Sequence, residues 1–452
     1  MARGKKKESA LTPEEKLAQA LVPVEEQPYK VPENWCWVRL GSLGYTNIGL
    51  TYKPANISPT GTIVLRSSNI QNGQMDYSDI VSVDMDIPES KMSQKGDILI
   101  CARNGSKALV GKTAIIDRNG MSYGAFMAIF RSPYNSLIYH YLNSHYFRDI
   151  IDHDVGTTTI NQITQSLIKE LPFPLPPFAE QQRIVDRIEY LFAKLDEAKE
   201  KAQSVLDSFE TRKAAILHKA FTGELTAKWR AEHGVSADTW VEKQLIDFLS
   251  LITYGFTNPM PDADEGPWKI TAKSVHDGYI DYEVSRKTTQ EAFDNLLTDK
   301  SRPLVNDVLL TKDGSIGRVA VVDRPSICIN QSVALLRPNE KIHPEFLRDM
   351  LLSPQHQRTM ELQAGGTALK HIYITRVNKM KILVPSLAEQ EEVCNVVKNL
   401  LTKEQQAKEV AEAVLEKIDL LKKSILARAF RGELGTNDPT EESAIAILKT
   451  IL

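Results

Sequence analysis

The chain has 452 residues, of which 42% are hydrophobic and 25% charged, and its net charge is −3. Such a composition belongs to a folded protein of two or three domains and excludes a disordered or collagen-like chain. The near balance of charge neither demands nor excludes nucleic acid, because a basic stripe can coexist with acidic surface elsewhere.

The basic start Arg3-Gly4-Lys5-Lys6-Lys7 runs into Glu8 and Glu14-Glu15 without an apolar core, which is not the pattern of a signal peptide. No run of about 18 apolar residues follows, so a cytoplasmic chain with no membrane partner is expected. Cys36, Cys101, Cys328 and Cys394 are far apart, with no Cys-x-x-Cys or Cys/His spacing. They are expected as reduced, buried thiols, and no metal site is expected.

The stretch "NGSKALVGKTAIID" (104–117) resembles a phosphate-binding loop, but five residues separate Gly105 from Gly111 where that loop has four. Thr113-Ala114-Ile115-Ile116 also reads as a strand rather than a helix start. A second copy, "DGSIGRVAVVD" (313–323), keeps Gly-Ser but puts Arg318-Val319 in place of Lys112-Thr113. A nucleotide loop does not lose its lysine and its metal-binding hydroxyl, so the stretch is a polar turn between two strands.

That second copy belongs to a repeat of the whole chain. Aligned without gaps at an offset of 209, residues 176–225 and 385–434 are identical at 20 of 50 positions. "PPFAEQ" falls on "PSLAEQ", and "ILHKAFTGEL" on "ILARAFRGEL". Upstream the match is looser: "NIQNGQMDY" (69–77) on "SVHDGYIDY" (274–282), "GDIL" on "NDVL", Trp37-Val38 on Trp240-Val241, and Gly156-Thr157-Thr158 on Gly365-Gly366-Thr367. Each half is therefore a variable globular unit followed by a well-matched segment.

In chain order, the first unit reads as strands at 62–70, 97–102, 112–117 and 122–131 and a helix near 136–151. From Ile184 the apolar positions Ile188, Leu191, Leu195, Ala198, Ala202, Val205 and Phe209 alternate steps of four and three, the period of a coiled-coil seam. The second copy runs Val393, Val397, Leu400, Glu404, Ala407, Ala411, Val414, Ile418, Leu421, Ile425, with Glu404 the one polar interruption. Proline precedes each helix, and Gly223 and Gly432 stand at the expected stops, so each spans about 40 residues or roughly 60 Å. Two such stripes are expected to pack antiparallel. The segment 14–35 matches 223–240 in plan, which predicts a circular organisation with the chain ends meeting near the first unit. The fold class is α/β: two units joined by long antiparallel coiled-coil helices, related by a pseudo-two-fold repeat.

Catalytic constellations are not evident. Pro-Pro-Phe at 176–178 resembles the amine-holding motif of amino-methyltransferases, but Leu175 stands where an Asn or Asp must accept the hydrogen bond. Polar loops recur instead at matched places. In the first unit they are Tyr52-Lys53, Arg66-Ser67-Ser68-Asn69 and Arg103-Asn104-Gly105-Ser106-Lys107, with Thr158 and Asn161 beyond. In the second they are Thr271-Ala272-Lys273-Ser274, Lys312-Asp313-Gly314-Ser315, Thr367 and Lys370-His371. Arg and Lys suit guanine edges, Asn and Gln suit adenine, and Lys, Ser and Thr hold phosphates, so these residues are the candidates for DNA contact.

The duplicated Ala-Glu-Gln helix with its Ala-Phe-x-Gly-Glu-Leu end, alternating with variable units, resembles the specificity subunit of type I restriction–modification systems over essentially the whole chain. "VPENW" (31–35) also fits. The resemblance implies an N-terminal arm with a short helix (1–30), a first target recognition domain (31–177), a central helix and linker (178–232), a second recognition domain (233–386), a C-terminal helix (387–434) and a tail (435–452). It implies that each domain reads one half of a bipartite asymmetric DNA site, with the helices setting the spacer and docking partners. The chain itself is expected to be non-catalytic and without cofactor. Two modification subunits, with S-adenosylmethionine, and two restriction subunits, with ATP and Mg, are the implied partners alongside double-stranded DNA. The alternatives are a self-contained adenine methyltransferase and a coiled-coil protein adaptor that does not bind DNA.

Overall fold

The computed structural model describes residues 11–154, 161–365 and 370–452. The chain divides into two compact units, one running to Lys201 and including Val414–Leu452, the other Ala202–Ala413.

Both units are built on the same sheets. In the first, a four-stranded sheet has the order Tyr45–Ile48, Met127–Arg131, Ile98–Cys101, Thr113–Ile115. In the second, the order Leu249–Tyr254, Val333–Pro338, Val308–Thr311, Val319–Val321 repeats it. All pairings in these two sheets are antiparallel. A three-stranded sheet lies beside each, with one parallel pair: Ile57–Leu65 with Ser122–Tyr123, and Ala263–Ile270 with Ile327–Ile329. Ile98, Leu99, Ile100 and Cys101 are all fully buried, as are Val308, Leu309 and Leu310, because both faces of the central strand are covered. One face packs on helices and the other on the three-stranded sheet, giving two adjoining cores in each unit.

The equivalence is register-true. Ile70 and Gln71 pair with Met75 and Gln74 around an Asn72-Gly73 turn, both residues at positive φ (51° and 76°). Val275 and His276 pair with Ile280 and Tyr279 around Asp277-Gly278, so the alignment at 69–77 and 274–282 holds. Asn-Gly supplies both left-handed residues of a two-residue hairpin, whereas in the Asp-Gly turn only Gly278, at φ 93°, is left-handed. The match of Trp37 with Trp240 needs correcting. Cys36 faces Leu175 and Val241 faces Val384 across equivalent strand pairs, so Trp35 is the partner of Trp240. The region near 136–151 is also two helices, Asn135–Leu142 and His145–Asp154, rather than one.

The first long helix runs Phe178–Asp207, breaks at Ser208 and resumes as Phe209–Phe221; the second is unbroken over Leu387–Ala429. In the first unit, Asp196 bonds Lys422 at 2.6 Å while Ile184 and Ile188 share a core with Leu426 and Phe430. In the second, Arg212 bonds Glu404 at 2.7 Å while Leu217 and Phe221 pack with Val393 and Val397. Within each unit, then, the helices run antiparallel, as expected from the connectivity of a pseudo-two-fold repeat. The polar interruption at Glu404 is explained by Arg212, which also donates to the Val205 carbonyl at 3.1 Å; with Ser208 bonded back to the Ser204 carbonyl, this accounts for the break. Two seam assignments fail: Ala407 is exposed, and Leu421 is 48% exposed. A helix of 3.6 residues per turn drifts about 20° per heptad, so beyond Ile418 the buried stripe moves to Leu426 and Ala429.

Each long helix ends on glycine in the left-handed region, Gly223 at φ 77° and Gly432 at φ 73°. The N–H groups of Glu224 and Glu433 turn back to the carbonyls of Lys219 and Arg428, closing the helix ends. A Cβ on Gly432 would lie 2.4 Å from Pro32, because the N-terminal segment crosses there.

The meeting of the chain ends is direct. Lys16 donates to the Leu452 carbonyl at 2.8 Å, and the Ala444 N–H to the Asn34 carbonyl at 2.9 Å. The start of each long helix is tied down by the glutamate of its Ala-Glu-Gln motif. Glu180, fully buried, accepts from Trp35 (2.7 Å), Thr436 (3.0 Å) and Asn437 (2.8 Å). Glu389, equally buried, accepts from Trp240 (2.9 Å), Thr226 (2.7 Å) and Arg230 (2.5 Å). The glutamines tie each helix start to the segment before it, Gln181 donating to the Pro176 carbonyl and Gln390 to that of Pro385. The motif is thus a crossing point of chain segments.

Candidate nucleic-acid interface

At one end of each four-stranded sheet the central strands open into the polar loops. The second unit folds them around a cleft of about 1000 Å³. Its walls include Thr271, Lys273, Ser274 and Ser315 from the expected set, together with Lys269, Arg286, Arg318 and Asn330, which sequence reasoning missed. Four cations line it against two carboxylates, Asp262 and Asp313. Asp262 pairs with both Lys269 and Arg286, the latter at 2.9 Å, and these contacts, Lys269 first, hold its carboxyl below the usual range.

Several expected contact residues have internal work. Asn69 is fully buried: its amide donates to the carbonyls of Asp76 and Asp79 and its oxygen accepts from the Arg66 N–H at 2.8 Å. Ser274 takes the same place in the second unit and is 1% exposed, accepting from the Thr271 N–H. Asn69 and Ser274 therefore shape the turn rather than face solvent. Lys312 is buried too, its ammonium on Asp313 at 2.8 Å and 5.2 Å from the centre of the Tyr254 ring. His371 also bonds Asp313. Burial alone would raise the Asp313 pKa, but the bonds from Lys312 and His371 outweigh it and hold the carboxyl low.

In the first unit Arg66 pairs with Asp79 at 2.8 Å and Lys107 donates to the Asp152 carbonyl. Asn104 donates to Ser67, and Asn161 to the Gly105 carbonyl, which draws three of the polar segments together. Tyr52 is half-buried beside Leu50 and Val64, and the Ser68 carbonyl accepts from Gln71. Lys53, Ser106, Lys273, Ser315 and Lys370 are exposed. Thr158 and Thr367 lie outside the described residues.

Sheet register defines equivalent positions in the two units. The Gly111 and Gly317 N–H groups donate to Cys101 and Thr311, and Lys112 and Arg318 accept from the same two residues. The loop from Ala102 to Val110 is thus four residues longer than that from Lys312 to Ile316. Arg103 bridges Gln162 where Asp313 bridges His371. One scaffold therefore offers an arginine in one unit and a caged aspartate in the other. The stretch once comparable to a phosphate loop is this hairpin loop, and Leu175 is fully buried on a strand, paired with Cys36. Among the described residues no cluster of metal-ligating side chains occurs, and no helix is long and apolar enough to cross a membrane. All four cysteines are free; burial pushes the Cys36, Cys328 and Cys394 thiols up to about 12.

A twice-repeated unit of this topology, carried on long helices that start at a buried glutamate, defines a class: the model of the type I restriction modification DNA specificity domain matches residues 32–206 and again 239–413, and the chain belongs to that family. Within it, the chain is 27% identical over 455 residues to the type I restriction enzyme EcoKI specificity subunit of Escherichia coli K12, covering 93% of this chain and 96% of that one. It is 25% identical to the StySPI specificity subunit of Salmonella potsdam, covering 90% of each chain. The fold is similar to that of the HsdS subunit from Thermoanaerobacter tengcongensis, with a TM-score of 0.64 at 19% identity over 91% of this chain and 100% of that one.

Proposed function

We propose that the chain is the DNA sequence-recognition subunit of a type I restriction–modification complex, each unit reading one half of a bipartite, asymmetric site. The repeated sheet with unlike loops carries the reading. Equivalent backbone positions bear Arg103 and Asp313, and Arg66 and Thr271. A shared frame with different donors and acceptors is what two different half-sites require, because phosphate contacts only position while base edges discriminate.

In this reading residues 31–177 and 233–386 are the target recognition domains and the chain is not itself catalytic. It works with DNA and the other subunits of its system: two modification subunits bringing S-adenosylmethionine and two restriction subunits bringing ATP and Mg. The long helices dock the modification subunits and set the length of the unread spacer.

Single-molecule sequencing of adenine methylation in cells carrying the gene reads out the site. Exchanging residues 233–386 for those of a relative is expected to change one half-site and leave the other intact. A change in both halves, or S-adenosylmethionine binding by the chain alone, refutes the reading.

A further inference from the structure

The backbone carbonyl of Phe126 accepts from the N–H groups of Ala102 (3.0 Å) and Arg103 (2.9 Å), and that of Ser332 accepts from Lys312 (2.9 Å). Met127 faces Cys101 and Val333 faces Thr311 across the equivalent strands. Phe126 and Ser332 therefore occupy one place in the repeated frame, at the loop end of the sheet. Yet one is a phenyl ring left 58% exposed and the other a serine whose hydroxyl bonds Asn330 at 2.6 Å.

Phe126 stands on a fixed base. Its turn is pinned by the Leu50 N–H on the Tyr123 carbonyl (2.8 Å), the Gly49 N–H on that of Met127 (3.0 Å) and the Gly124 N–H on that of Leu65 (2.9 Å). The Phe126 carbonyl holds the Arg103 N–H at the start of the polar loop in which Asn104 bonds Ser67 and Asn161 reaches the Gly105 carbonyl. The Arg103 guanidinium lies over the ring, 5.2 Å from its centre, and is engaged by no carboxylate among the described residues. An aromatic wedge that parts two base pairs needs both faces of its ring. Here one face is already taken, leaving the other face and the edge for lateral contact. In the major groove the apolar group offered to such a contact is the C5-methyl of thymine.

We propose that Phe126 is a specificity-determining residue of the first unit, which packs its ring on the methyl group of one thymine in that unit's half-site. The second unit, with Ser332 at this place, senses no methyl there. The proposal rests on the DNA-reading function above and deepens it.

The test uses the chain assembled with its modification subunits and duplexes carrying its mapped site, in which each thymine is replaced in turn by deoxyuridine. The first half-site is the one that changes when residues 31–177 are exchanged. For the unaltered chain, one thymine there is expected to show about a fourfold loss of affinity on losing its methyl. In Phe126→Ser that loss disappears, while uracil profiles in the other half-site are unchanged. Because the ring is exposed, the substitution leaves the fold intact, and an unchanged circular dichroism melt checks this. An identical uracil profile in the unaltered chain and Phe126→Ser overturns the proposal. So does an equal loss of affinity at every sequence without uracil sensitivity, which marks a wedge. A complex that binds and modifies no DNA overturns the recognition function itself.

Discussion

Trp240 donates its indole N–H to Glu389 at 2.9 Å inside a site from which the carboxylate is wholly excluded from water. Trp35 does the same to Glu180 at 2.7 Å, but the remaining partners differ. Glu389 is answered by a charge, Arg230, whereas Glu180 is answered by the neutral groups of Thr436 and Asn437 from the tail.

The two knots should therefore respond unequally to truncation. Glu389→Ala leaves a guanidinium that is only 13% exposed without its carboxylate, and a loss of about 3–5 kcal/mol is expected. Glu180→Ala strands only neutral donors and is expected to cost about 1–3 kcal/mol. Urea unfolding midpoints rank the two; equal losses contradict the assignment.

A second prediction concerns the polar step in the helical seam. Glu404→Leu leaves Arg212 partly buried without a carboxylate and is expected to cost about 1–2 kcal/mol. Replacing Arg212 and Glu404 together by leucine completes the apolar stripe and is expected to be neutral or stabilising by about 1–4 kcal/mol. A double mutant no more stable than Glu404→Leu alone sinks this account.

Burial pushes His140 and His356 down to about 4, His140 between the Tyr139 and Phe192 rings and His356 beside Ser353. Below about pH 6.5 the unfolded chain takes up protons that the folded chain refuses, so stability is full above that pH and falls as pH drops towards 4. Each histidine accounts for at most about 3 kcal/mol of that fall. His140→Phe should flatten the dependence of the urea midpoint on pH between 4 and 6.5 while leaving its course above pH 7 alone.

The cleft of the second unit makes an electrostatic prediction of two signs. Lys273→Ala removes an exposed cation from the wall and is expected to weaken binding evenly across sequences, lowering the slope of log affinity against log salt by about 1. Asp262→Asn releases Lys269 and Arg286 from their carboxylate and is expected to raise non-specific affinity at low salt. Titrations of the complex with duplex DNA at several salt concentrations read both; shifts in the same direction refute the assignment.

Much of this was legible in the chain itself, because it is written twice. Hydrophobic period alone places Ile184, Ile188, Val393 and Val397 in a buried seam, and Asn-Gly and Asp-Gly mark the hairpins, since period and turn chemistry are local properties. The gapless match of 176–225 with 385–434 reveals the repeat, and the likeness of 14–35 to 223–240 carries the circular plan, which the bond from Lys16 to the Leu452 carbonyl completes.

Tertiary structure alone decided which polar residues face outward. Asn69 and Lys273 look alike as loop residues, but one is spent on backbone groups of its own turn and the other is free, and that depends on carbonyls several residues away in space. The seam offered no sign that Arg212 answers Glu404, nor the Ala-Glu-Gln motif that its glutamate binds Trp35 or Trp240, because those partners lie more than a hundred residues off. Phe126 escaped notice for the opposite reason: a phenylalanine within an apparent strand over 122–131 reads as core, but the structure breaks that strand between Tyr123 and Met127 and leaves Phe126 exposed on the turn. Period and turn type are written between neighbours; burial and pairing are decided where distant segments meet.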